Sequence, residues 1–173
     1  EFENRLRQRI AELPTLPDDK QLVAVALDLD GFKTINDRHG HSAGDHILRT
    51  VVRRLQKHAP ADSLVGRLGG DEFALLCCVR KDLAPLTVVE DLRRQVTATP
   101  VPSGNSAHDF GITMGISTIR AGDTAEAVLD RADQALVNGK LLEKNRTYDI
   151  ASCTALSSPR ALSQTKPERP EAA

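Results

Sequence analysis

Apolar residues recur at four-residue spacing at Phe2, Leu6 and Ile10, which predicts a helix over Glu1–Leu13. Pro14, Pro17, Asp18 and Asp19 end it in a loop. Leu22–Leu27 is an unbroken apolar run, Leu-Val-Ala-Val-Ala-Leu, of the kind expected from a central strand buried on both faces. Asp28-Leu29-Asp30-Gly31 closes it. Helical spacing returns at Phe32 and Ile35, breaks at Gly40 to Gly44, and resumes through Ile47, Leu48, Val51, Val52 and Leu55. Leu64, Val65 and Leu68 then lead into Gly69-Gly70-Asp71-Glu72, and Phe73–Val79 is a second apolar run. Two short strands about a Gly-Gly turn predict a hairpin. Leu86, Val89, Leu92 and Val96 mark a helix ended by Pro100 and Pro102, and Ile112–Ile119 is a further strand. Asp123 with Glu126 reads as a helix N-terminus, with Val128, Leu129, Ala132, Ala135 and Leu136 as its buried face. Thr147–Ile150 is a short last strand.

After the first helix the order is therefore β-α-β-β-α-β and then a helix. This is an α+β chain with the ferredoxin-like pattern, an antiparallel sheet flanked by helices. In its usual strand order the first and third strands are neighbours. The end of the first, carrying Asp28 and Asp30, then lies beside the start of the third, carrying Asp71 and Glu72. From Ala151 the composition shifts to Pro and Ser without aromatics, so residues 1–150 are expected to form one domain and 151–173 a disordered tail.

Composition narrows the function classes. The 173 residues hold 23 Lys+Arg against 24 Asp+Glu, a formal net charge of −1, which does not suit a general nucleic-acid or anionic-membrane binder. Aromatics are 3%, so stacking platforms for successive bases are poorly supported. No apolar run approaches the roughly 20 residues of a membrane span. The charge of Glu1–Arg9 does not suit a signal peptide. Cys77, Cys78 and Cys153 make a poor disulfide framework. A cytoplasmic setting is expected.

The acidic cluster carries the chemistry. Asp28 and Asp71 facing one another would repel unless a cation lay between them, and clustered carboxylates favour a hard ion such as Mg²⁺ shared with phosphates. Solvated turn acids are the plain alternative, since Asp and Gly are ordinary turn residues. Gly69-Gly70 allows close approach by a ligand or simply turns a hairpin. Zinc at His39, His41 and His46 is disfavoured, with no cysteine near. One of Cys77 and Cys78 should face the core.

The string Arg67-Leu68-Gly69-Gly70-Asp71-Glu72-Phe73 resembles the signature of the GGDEF family of diguanylate cyclases. Asp28-Leu29-Asp30-Gly31-Phe32-Lys33-Thr34-Ile35-Asn36-Asp37 is similar to its D-x-D-x-F-K-x-I-N-D block, and Gly40-His41-Ser42-Ala43-Gly44-Asp45 to its G-H-x-x-G-D block. Ala132-Asp133-Gln134-Ala135-Leu136, with Lys140 and Asn145, resembles its C-terminal block. Order and intervals agree from Phe2 to about Tyr148. The resemblance implies condensation of two GTP into cyclic di-GMP and pyrophosphate by a homodimer, with Mg²⁺ (or Mn²⁺). It implies metal ligation by Asp28, the Leu29 carbonyl and Asp71, with Glu72 in support, and Asp71 as base. Lys33 would stabilise phosphate charge, or be a solvated helix-start lysine. Phe32, Asn36, His41, Asp45, Leu48, Gly69 and Gly70 would line the substrate pocket. A carboxylate can accept from guanine N1–H and N2–H₂ together, which suits Asp45, although Asp45 also reads as an N-cap. Lys140 and Lys144, at i and i+4 on one helix face, would hold terminal phosphates, or be a solvated charged face.

Four departures from the family pattern bear on function. Pro60-Ala61-Asp62-Ser63 stands where an R-x-x-D product-inhibition site is common, so no inhibition is expected there. The usual D-x-L-T-G-L-x-N-R opening has no counterpart, because the sequence starts inside the first helix. Gly139, Glu143 and Lys144 replace the usual Ala, Gly and Arg. His39 replaces an aromatic. A catalytically inactive GGDEF module that binds nucleotide and regulates an attached domain is the alternative, and an attached sensor or effector is expected in either case.

Overall fold

The computed structural model describes residues 1–103 and 106–157. Helix α1 (Phe2–Ala11) is followed by a short 3₁₀ turn, then β1 (Lys20–Asp30), α2 (Phe32–His39) and α3 (His41–His58). The hairpin β2 (Leu64–Gly69) and β3 (Glu72–Arg80) leads to α4 (Pro85–Thr97). A two-stranded ribbon, β4 (Val101–Ser103) and β5 (Ser106–His108), precedes β6 (Gly111–Thr118) and α5 (Ala125–Leu142). The short β7 (Thr147–Tyr148) and α6 (Ile150–Ser157) follow.

The main sheet runs β2-β3-β1-β6-β7. β1 is central and antiparallel to both neighbours, as the ferredoxin-like pattern requires, while β7 adds parallel to β6. Because side chains alternate along a strand, β1 supplies both faces of the core. Val23, Val25, Leu27 and Leu29 join Phe73 and Leu75 of β3 and Ile112 and Met114 of β6 on one face. That face is covered by Ile47, Val51 and Leu55 of α3 and Val89, Leu92 and Val96 of α4. Leu22 and Ala24 face the other way, toward Leu6 of α1 and Val128 of α5. Helices on both faces explain why the β1 sequence is an apolar run and not an alternation. α5 lies hard on β6: a Cβ at Gly115 would stand 2.1 Å from the Ala132 carbonyl oxygen.

Cys77 is buried in the larger core, and burial pushes its thiol up to about 11, so it fills space and does not react. Cys78 packs at the edge of the opposite core.

Two expectations need correction, and one element was missed. The tail predicted from Ala151 begins instead as α6, whose buried Cys153 lies within 3.6 Å of the Ala135 carbonyl on α5. Residues 158–173 of that tail lie outside the described residues. The break at Gly40–Gly44 is only a junction: α3 starts at His41 and Gly44 is inside it. The β4–β5 ribbon was not foreseen, because Pro100 and Pro102 read only as the end of a helix. Among the described residues no helix is long and apolar enough to cross a membrane.

Candidate active site

β1, the β2–β3 turn and the end of α5 meet at one edge of the sheet. The register sets Asp28 opposite Glu72 of β3 and Thr113 of β6. Pairing with β3 stops there, so Leu29 has a strand neighbour on the β6 side only. The turn brings Asp71 close enough for its charge to act on Asp28. Gly70 sits at φ 49°, and its carbonyl accepts from Nε and Nη2 of Arg67 at 3.0 and 2.8 Å. A Cβ at Gly69 or Gly70 would meet nothing within 4 Å, so the glycines leave the approach to Asp71 open.

Asp28 is 16% exposed in its side chain, and Nζ of Lys140 lies 2.7 Å from its Oδ2. Burial pushes the Asp28 carboxyl above the usual range. Lys140 opposes the rise, and the charges of Asp71 and Asp30 add to it. A half-buried carboxylate with two like charges beside it wants a cation, and in this structure the cation is Lys140.

A cleft of about 740 Å³ opens between one face of α3 and the hairpin. Asp45, Leu48, Arg49 and Arg53 line it on the helix, and Arg67 and Phe73 line it on the hairpin. Behind α3, the Asn36 Oδ1 is buried with no hydrogen-bond partner. Gly44 makes room for it, since a Cβ there would stand 2.0 Å from that oxygen and 3.0 Å from Phe32 Cζ.

The structure gathers Asp28, Asp71 and Lys140 at the edge and Asp45 and Leu48 at the cleft. Glu72 is exposed at the start of β3, and Lys33 is exposed in the first turn of α2, directly after β1. His41 and Lys144 are exposed as well. Phe32 is a core residue, 9% exposed, and does not line the cleft. Two readings fail. Asp45 is not an N-cap, because Gly40 holds that position and Asp45 lies in the second turn of α3, free to face the cleft. Lys140 and Lys144 do not share a helix face, because α5 ends at Leu142. Sequence reasoning missed Arg49 and Arg53, although their four-residue spacing from Asp45 marks the same helix face. His39 stacks at a tilt on His108, with ring centroids 4.3 Å apart.

Among the described residues no three His, Cys, Asp or Glu side chains form a ready-made metal cage. Two carboxylates beside a strand-end carbonyl are a partial, all-oxygen donor set. That set fits a hard divalent cation whose remaining ligands come from phosphates and water.

The family model for "Diguanylate cyclase, GGDEF domain" matches residues 1–146. The chain belongs to the GGDEF family. Among its relatives, diguanylate cyclase DgcP of Pseudomonas aeruginosa is 33% identical over 142 residues, 82% of this chain and 21% of that protein. Cyclic di-GMP phosphodiesterase PdeB of Shewanella oneidensis is 34% identical over 139 residues, 79% of this chain and 16% of that protein. This GGDEF domain thus spans about a fifth of the length of each of these two relatives. Among solved structures, the GGDEF domain of DgcB from Caulobacter crescentus, in complex with c-di-GMP, superposes with a TM-score of 0.75. It is 27% identical, covering 85% of this chain and 86% of that one.

Proposed function

We propose that this GGDEF domain is a diguanylate cyclase that joins two GTP into cyclic di-GMP as a homodimer, one GTP per subunit. The observation that carries the reading is the meeting of Asp28, Asp71 and Lys140 at one sheet edge. Asp45, on the neighbouring cleft, accepts from N1–H and N2–H₂ of guanine, a pair adenine does not offer. Leu48 lines the same cleft and packs on the base. Asn36, whose Oδ1 is buried behind α3 without a partner, is a further acceptor for the nucleotide once exposed, and His41 serves the ribose.

Asp28, the Leu29 carbonyl and Asp71, supported by Glu72, would hold Mg²⁺ or Mn²⁺, which neutralises phosphate charge and acidifies the attacking hydroxyl. Asp71 takes the proton from the 3′-hydroxyl. The 3′-oxygen attacks the α-phosphorus of the GTP on the other subunit. As that bond forms, the bond from α-phosphorus to the bridging oxygen breaks and pyrophosphate leaves. The reciprocal attack closes the ring and releases the second pyrophosphate. Lys33, Lys140 and Lys144 stabilise the charge on the phosphates. Lys140 turns from Asp28 to the phosphates as they arrive. With Pro60-Ala61-Asp62-Ser63 in place of R-x-x-D, the product does not arrest the enzyme at that stretch. The domain works in the cytoplasm, where GTP is, attached to a sensor or effector.

The test is incubation with GTP and Mg²⁺, alone and fused to a dimerising coiled coil, with cyclic di-GMP read by mass spectrometry. The fusion should make product and Asp71→Asn should abolish it. The relation to a phosphodiesterase favours a second reading, an inactive GTP-binding module that regulates its neighbour. Binding of GTP with no product from the fusion would establish that second reading instead.

A further inference from the structure

Arg93 on α4 is 8% exposed in its side chain, whereas Arg94 beside it is 68% exposed. A buried guanidinium must be paired, and this one is paired on three nitrogens. Its Nε and Nη2 donate to the two carboxylate oxygens of Glu90 at 2.8 and 2.7 Å. Its Nη1 donates to Oδ1 of Asn145, 52 residues further along the chain. Asn145 follows α5 and sits at φ 60°, in the left-handed region. Its Oδ1 also accepts from the Ile112 amide at 3.3 Å. Its own amide donates to Asp30 Oδ2 at 2.9 Å and to Thr113 Oγ1 at 3.0 Å. Thr113, fully buried, donates in turn to Asp30 at 2.9 Å. Gly111 permits the crowding, since a Cβ there would stand 2.9 Å from Asp30 Oδ2 and 3.2 Å from Asn145 Cβ.

One residue is thereby fixed from α4, β1 and β6 at once. The residue before it is Lys144, and Lys140, at the end of α5, reaches Asp28. Lys144 lies beyond the helix and takes its backbone position from its neighbour. Both lysines are long, flexible side chains, and a rigid base lowers the entropy cost of bringing them to a ligand. We propose that Arg93, with Glu90, Asp30 and Asn145, is a positioning apparatus that sets Lys144 and Lys140 for the β- and γ-phosphates. This rests on the cyclase reading above.

The test measures binding of 3′-deoxy-GTP, which lacks the attacking hydroxyl, and of 3′-deoxy-GMP, by titration calorimetry with Mg²⁺. The variants are Arg93→Met, Asn145→Gly and Lys144→Ala. Asn145→Gly keeps the left-handed backbone accessible while removing Oδ1, so it serves if Arg93→Met does not fold. Triphosphate affinity should fall roughly tenfold in each variant, with monophosphate affinity within about twofold of wild type. Arg93→Met combined with Lys144→Ala should lose little more than either alone, and Arg93→Lys should fall between, having lost the fork. Equal weakening of both ligands, no weakening, or additive losses overturn the positioning role while leaving the cyclase reading intact. Failure of the wild-type chain to bind 3′-deoxy-GTP overturns both.

Discussion

Two glycines set the shape of the site at the residue scale. Gly139 occupies a position where the family usually has alanine, and Tyr148 explains it. A Cβ on Gly139 would lie 2.1 Å from Tyr148 Cδ2, and that ring is 2% exposed with no room to retreat. Alanine is favoured over glycine in a helix by about 1 kcal/mol, but forcing a methyl into a filled core costs about 1–3 kcal/mol. Gly139→Ala should therefore lower the urea midpoint, and a rise would show that Tyr148 yields. Gly44 stands against Asn36 in the same way, and Asn36 is the residue proposed above as an acceptor for the nucleotide. Gly44→Ala should weaken guanine nucleotide binding roughly tenfold while leaving adenine nucleotide binding as weak as before, read by calorimetry. The sequence displayed Asp28, Asp71 and Asp45 plainly, because motif residues sit at fixed spacing. Arg93 and Asn145 could not be paired from it, since the contact spans 52 positions and depends on how α4 crosses β6.

Elements were legible in proportion to how fully each is buried. β1 and β3 read directly from apolar runs, and their pairing followed from the topology, with Asp28 landing opposite Glu72. The junction of α2 and α3 was less legible. Gly44 reads as a breaker, yet tertiary contact with Asn36 and Phe32 demands glycine inside a helix. α6 was hidden because its small residues run into a Pro- and Ser-rich stretch, and it forms against α5. The start of α5 is capped by Thr124, whose Oγ1 accepts from the Ala127 amide at 3.2 Å. Thr124→Ala should cost about 1 kcal/mol of stability in urea melts. Glu90 ties α4 to the segment after α5. Burial opposes its ionisation, but hydrogen bonds from Arg93 and Thr147 and the charge of Arg93 outweigh that, and its carboxyl lies below the usual range. A depressed folded-state value means stability present above the ordinary glutamate value of about 4.3 and lost as pH falls through the folded value. The stability gap between wild type and Glu90→Gln should therefore shrink from pH 7 to pH 3 in urea melts.

At the scale of the whole molecule, one central strand carries two cores and ends in the proposed reaction centre. Helices on both faces leave that end of the sheet as the open side, where a second copy can present its own nucleotide. The coiled-coil fusion should therefore turn over faster than the free domain at equal chain concentration. Added cyclic di-GMP should slow it only by competing with GTP, which initial rates at rising GTP would reveal. The Lys140–Asp28 ion pair has a further consequence. Asp28 already holds a positive charge of the protein's own, so a divalent ion arriving alone must evict a tethered competitor whose local concentration never falls. Without nucleotide, Mg²⁺ should bind feebly, and Lys140→Met should strengthen that binding in a direct titration. With triphosphate present the lysine gains another anion, and ion and nucleotide should load as a pair. On the cyclase reading proposed above, substrate is the key that frees the metal seat.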